Sequence, residues 1–164
     1  MVDSSPPTRP KPLVALAISV VAVIIASGVG GLASTSSGEE YQRLEQPAWA
    51  PPSWVFGPVW TLLYLLMAVA AWLVWRSGPW SQTRPALTAY AVQLVLNAAW
   101  TPLFFGLGWR GIAFAELSVL WVVLITTVVM FWRHSRIAAA LLVPYLAWTT
   151  FALCLNFAVW QLNN

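Results

Sequence analysis

The stretch WVFGPVWTLLYLLMAVAAWLVW, residues 54–75, decides the fold class of this chain. It carries no charged side chain over 22 residues. A helix needs about 20 apolar residues to cross a hydrocarbon core of ~30 Å. Its Leu, Ala, Val and Trp do not alternate with polar residues, which excludes a barrel strand. Working outward, residues 13–33, 85–109 and 137–164 are also free of charge, and 111–132 holds only Glu116. The reading is an all-α membrane protein, a five-transmembrane-helix bundle. A signal peptide is the rival for the first run, because Arg9 and Lys11 precede it. Its uncharged length, beyond the usual ~7–15 residues, favours a retained helix. There the spacing of Ala26 with Gly30, and of Ser27 with Gly31, permits close helix–helix approach.

Composition agrees. Charged residues make up 8% of the 164, against about 25% in soluble domains, so a soluble enzyme is excluded. Residues 1–12 read as a disordered N-terminal tail and 13–164 as one transmembrane domain. The net charge of +3 comes from scattered basic residues, with no stripe that could follow a nucleic-acid backbone. Cys154, the single cysteine, rules out an intrachain disulfide and is expected to be a small packing residue. With five spans, Arg9, Lys11, Arg76, Arg84, Arg133 and Arg136 share one side, six of the eight basic residues. The positive-inside rule then places the N-terminus in the cytoplasm and the C-terminus outside, for a bacterial inner (plasma) membrane.

The long connection, residues 34–53, ends in Pro47, Trp49, Pro51 and Pro52. Prolines preset its path, and ordered loops of this length are usually functional, so it is expected to act as a lid. Helical phase puts Trp60, Tyr64, Met67 and Ala71 on one arc of the second span. It aligns Tyr90, Gln93, Asn97 and Phe104 on the third, with Trp100 at the edge, and Tyr145, Trp148, Ala152 and Asn156 on the fifth. Polar residues in a span face the interior, so the stripes would line an apolar pocket with a few polar anchors. Asn97 and Gln93 also suit interhelical hydrogen bonding. Trp75, Trp80, Trp109, Trp132 and Trp160 suit interface anchors, and Trp60 and Trp148 lie deeper. Glu116 reads as structural, with a proton-linked or polar-network role as the alternative, and His134 as a loop residue. No metal-ligand spacing, phosphate loop or nucleophilic triad is present.

The segment QPAWAPPSWVFGPVWTLLYLLM, residues 46–67, resembles the signature of the TspO/MBR family, the tryptophan-rich sensory and translocator proteins. QLVLNAAWTPLFFG, 93–106, is similar to the family's third helix, and LVPYLAW, 142–148, to its fifth. The likeness spans residues 14–163. It implies a homodimeric five-helix bundle in membrane lipid whose pocket, under the first loop, binds protoporphyrin IX-type tetrapyrroles and benzodiazepine-type synthetic ligands. By position, the pocket would include Tyr41, Trp49, Trp60, Asn97, Trp100, Trp148 and Ala152. The implied function is a receptor or sensor regulating tetrapyrrole homeostasis or stress responses. The alternatives are light- and oxygen-dependent degradation of protoporphyrin IX, with Trp60 and Trp148 as its catalytic residues, and translocation of porphyrin or another amphipath. Porphyrin enters all three as ligand or substrate, with no resident cofactor and no metal. Glu40 stands where the family commonly has Trp, and Gln46 where Lys is usual. The C-terminal end lacks the Tyr and basic residue of the animal sterol motif, which argues against high-affinity cholesterol binding.

Overall fold

The computed structural model describes residues 12–32 and 37–164. The expected tail, apart from Pro12, lies outside the described residues, as does the packing of Ala26, Ser27, Gly30 and Gly31. The described residues are almost entirely helical and include no strand. Helices α1 (Pro12–Leu32), α3 (Phe56–Arg76), α4 (Trp80–Thr101), α5 (Arg110–His134) and α6 (Arg136–Leu162) are 21 to 27 residues long. A seven-residue helix, α2 (Ser37–Arg43), lies in the first connection. A 3₁₀ turn, Ser53–Val55, leads into α3, and a π-helical turn, Pro102–Gly106, closes α4.

A repeat of alternating three and four residues builds the interior. On α5 the buried residues are Ala113, Leu117, Leu120, Leu124, Thr127 and Phe131. On α3 the same spacing selects Leu63, Met67, Ala70 and Val74, and on α6 Leu142, Tyr145, Thr149, Asn156 and Val159. This is the 3.5-residue seam of left-handed helix packing. The outward faces are apolar too, with Leu62, Leu65, Val95, Val122 and Phe157 exposed. An apolar exterior of this kind needs lipid rather than water. Among the described residues three spans, Ser53–Arg76, Arg110–His134 and Arg136–Leu162, are long and apolar enough to cross a membrane. The chain is an integral membrane protein.

Around the bundle, α1 packs beside α3 and α4, α4 beside α5, α5 beside α6, and α6 beside α3. Gly111 permits the tight α5–α6 approach, since a Cβ there would meet the Trp160 ring at 3.0 Å. Gly108, with φ +65°, makes the left-handed turn into α5.

Several boundaries differ from the sequence reading. Helix α4 starts at Trp80, ahead of Arg84, because a charged residue marks the edge of the apolar zone and does not stop a helix. It ends at Thr101, since Pro102 has no N–H to continue the ladder. His134 is the last residue of α5 and not a loop residue. Cys154 is exposed on α6 and does not pack inside.

Candidate functional site

Helices α3, α4, α5 and α6 enclose a cavity of about 380 Å³ near the α2 end of the bundle. From α3 come Phe56, Trp60 and Tyr64; from α4 Asn97 and Trp100, with Phe104 and Phe105 of the π-turn. Helix α6 supplies Trp148, Thr149, Ala152, Leu155 and Asn156, and α5 supplies Leu117 and Leu120. The loop side contributes Tyr41.

The walls are a chain of aromatic contacts. Tyr41 meets Phe56 edge-on at 5.2 Å, and Phe56 meets Trp148 at 5.8 Å. Trp60 lies 5.4 Å from Tyr64 and 6.1 Å from Tyr145. On the far wall Trp100 stacks on Phe104 at 5.0 Å. Such ring pairs hold one another in place, so the walls are preformed aromatic surfaces.

Polar groups are few and tied together. The Tyr64 hydroxyl donates to Asn97 Oδ1 at 2.7 Å, and Asn97 Nδ2 donates to the Tyr145 hydroxyl at 3.1 Å. These bonds join α3, α4 and α6 and form the cavity floor. Trp100 Nε1 donates to Asn156 Oδ1 at 3.0 Å, and Asn156 Nδ2 donates to the Arg110 carbonyl at 3.1 Å. Asn97 thus combines both roles read for it, interhelical bond and cavity wall.

The connection over this end is held by its own bonds. Tyr41 is buried, its hydroxyl donates to the Pro51 carbonyl at 3.0 Å, and Gln46 Nε2 donates to the Tyr41 carbonyl. Burial pushes the Tyr41 hydroxyl pKa above its ordinary 10.0. Asn163, just beyond α6, accepts from the Glu45 N–H at 3.0 Å and donates to the Glu45 carbonyl at 2.8 Å.

Of the residues singled out in the sequence, Tyr41, Trp60, Asn97, Trp100, Trp148 and Ala152 line the cavity. Trp49 does not. It is half exposed and packs edge-on against Phe151 at 5.7 Å. Met67, Ala71, Tyr90 and Gln93, on the same stripes, lie in the packed core below the floor. Leu117 and Leu120 escaped sequence reading, although their phase on α5 is regular. Both carboxylate oxygens of Glu116 are enclosed and have no hydrogen-bond partner among the described residues.

The sequence profile of the TspO/MBR family matches residues 17–161. The chain belongs to the TspO/MBR family. It is 38% identical to the tryptophan-rich protein TspO of Archaeoglobus fulgidus over 149 residues, covering 90% of this chain and 96% of the relative. It is likewise 38% identical to protein CrtK of Rhodobacter capsulatus, covering 92% and 94% of the two chains. It is 41% identical to the human translocator protein over 126 residues, or 76% of this chain and 75% of that one. The segments 46–67, 93–106 and 142–148, which carry the family resemblance, are those that contribute most of the cavity wall.

Proposed function

We propose that this TspO/MBR protein is a membrane sensor that binds a protoporphyrin IX-type tetrapyrrole in the α3–α6 cavity. The observation that carries this reading is the wall itself. Trp60, Trp100 and Trp148 surround the space, and the polar groups facing it are neutral. A tetrapyrrole is a wide aromatic plane that such faces can stack on without ligating a metal. The cavity volume falls within the ~300–1,000 Å³ of small-molecule sites. Benzodiazepine-type ligands, smaller and also flat, fit the same description.

In this reading α1 and α4 complete five spans, although α4 carries Gln82, Arg84, Gln93 and Asn97. Gln93 and Asn97 are buried away from lipid, which supports the assignment. The chain acts as a homodimer in a bacterial inner membrane, N-terminus cytoplasmic and C-terminus outside. The segment Ser37–Pro52 covers the cavity as a lid, supported by the Tyr41 and Asn163 bonds. Ligand occupancy is sensed as a change in lid and helix packing that a partner reads.

Degradation of protoporphyrin IX by light and oxygen is the second reading, favoured by Trp60 and Trp148 both standing on the wall. Translocation is the third, and rests on the names of the animal relatives. The test is to incubate purified protein with excess protoporphyrin IX in the dark and under light, and to follow porphyrin absorbance. A sensor gives a saturable dark spectral shift and no loss in light beyond one equivalent. Multiple turnovers in light make it an enzyme, and flux across proteoliposomes makes it a translocator. No saturable shift refutes the tetrapyrrole assignment.

A further inference from the structure

Among the residues lining the cavity, three are exposed: Gly38, Gly57 and Thr61. Lining residues from α5 and α6 are buried or half-buried, so the cavity is walled on those sides. Gly57 and Thr61 are four residues apart on α3, on the edge that continues to Tyr64 and its bond to Asn97 of α4. They flank the outward stripe of Trp54, Pro58 and Leu62. Because Ser53–Arg76 is a membrane span, Gly57 and Thr61 sit about 6 and 12 Å along it.

The rim chemistry is that of an apolar passage. Among the described residues, a Cβ on Gly57 would meet no atom within 4 Å, nor would one on Gly38. The Thr61 hydroxyl donates to the Gly57 carbonyl at 2.9 Å, which satisfies both groups within α3.

We infer that the cavity is loaded sideways from the membrane, through a mouth at Gly57 and Thr61 on α3, by ligands already dissolved in lipid. The inference rests on the reading of the cavity as a ligand site and specifies its substrate class. The ligand is a flat, largely apolar amphipath that enters edge-first, and its polar groups meet the Tyr64–Asn97 floor. Gly57 sets the width of the mouth, and molecules confined to water by charge do not reach the cavity.

The test uses chemical access and needs no porphyrin. In a Cys154→Ala background, Ala152→Cys places a reporter thiol on the α6 wall, and the protein is reconstituted in phosphatidylcholine liposomes. The reporter is expected to react with lipid-soluble pyrenyl-maleimide much faster than with a charged, membrane-impermeant maleimide. Gly57→Phe should slow the pyrenyl-maleimide reaction by about tenfold or more, a rise of ~1.4 kcal/mol in the barrier. Asn163→Ala, which frees the first connection from α6, should leave the rate unchanged. Thr61→Phe serves as a second blocking variant, and circular dichroism with gel filtration verifies that each variant folds. Unchanged labelling in both blocking variants, faster labelling in Asn163→Ala, or an unreactive reporter would each overturn the inference. A failure of dark porphyrin binding with this labelling pattern intact would sink the tetrapyrrole reading alone.

Discussion

Replacing Asn97 with Leu removes the hub that ties three helices together at the cavity floor. Two bonds are lost, from the Tyr64 hydroxyl at 2.7 Å and to the Tyr145 hydroxyl at 3.1 Å. Interhelical hydrogen bonds in membrane proteins average about 0.6 kcal/mol and reach about 1.7, so the two sum to ~1–3 kcal/mol. The upper part of that range is favoured, because Tyr145 is fully buried and its hydroxyl would lose its donor without gaining water. Tyr64→Phe alone removes one of the bonds and should cost about 0.6 kcal/mol. Combining the two changes should then cost less than their sum by about 0.6 kcal/mol, the energy of the shared bond. The assay is reversible denaturation by dodecyl sulfate in mixed micelles, followed by intrinsic fluorescence, with twelve tryptophans as the signal. Additivity within ~0.3 kcal/mol would refute the claim that Tyr64 and Asn97 are coupled and that their bond closes the floor.

Three further outcomes follow from the same geometry. Asn163→Ala deletes both bonds to Glu45, so amide hydrogen exchange across residues 44–50 should quicken several-fold; unchanged protection would mean that the connection is held elsewhere. Glu116→Gln replaces a carboxyl whose oxygens have no hydrogen-bond partner among the described residues, so stability in detergent should hold or rise by ~1 kcal/mol, whereas a clear loss would reveal an ion pair. Because the Tyr41 pKa is raised on folding, its contribution is complete below pH ~10 and is lost as pH climbs through the raised value. Tyr41→Phe should flatten the alkaline fall in stability, and an unchanged alkaline limb would exclude Tyr41 as its source.

Much of this site was legible because buried faces in a membrane bundle repeat every three or four residues. That phase alone puts Trp60, Asn97 and Trp148 on inward arcs, and the cavity contains all three. Phase cannot tell where along a stripe packing stops and space begins. Met67 and Tyr90 share arcs with Trp60 and Asn97 yet are core, because the Tyr64–Asn97–Tyr145 bonds close the floor above them. Leu117 and Leu120 carry no polar or aromatic mark to separate them from packing leucines. Helix α2 was hidden as well. Its seven residues are too few to form a helix unaided, and its exposed Arg43–Glu39 pair at 3.8 Å contributes only tenths of a kcal/mol. Its place depends on buried Tyr41, a contact made across the fold.

The central claim is that the ring-lined space between α3, α4 and α6 is the tetrapyrrole site. Titration of the purified protein with protoporphyrin IX in the dark, read as quenching of tryptophan fluorescence, tests it most directly. Wild type should quench saturably at one equivalent per chain, and Trp60→Phe and Trp148→Phe should each weaken binding several-fold, while Trp132→Phe, on the outer surface, should not. Saturable binding with the same affinity in all four proteins would place the porphyrin elsewhere and contradict the claim.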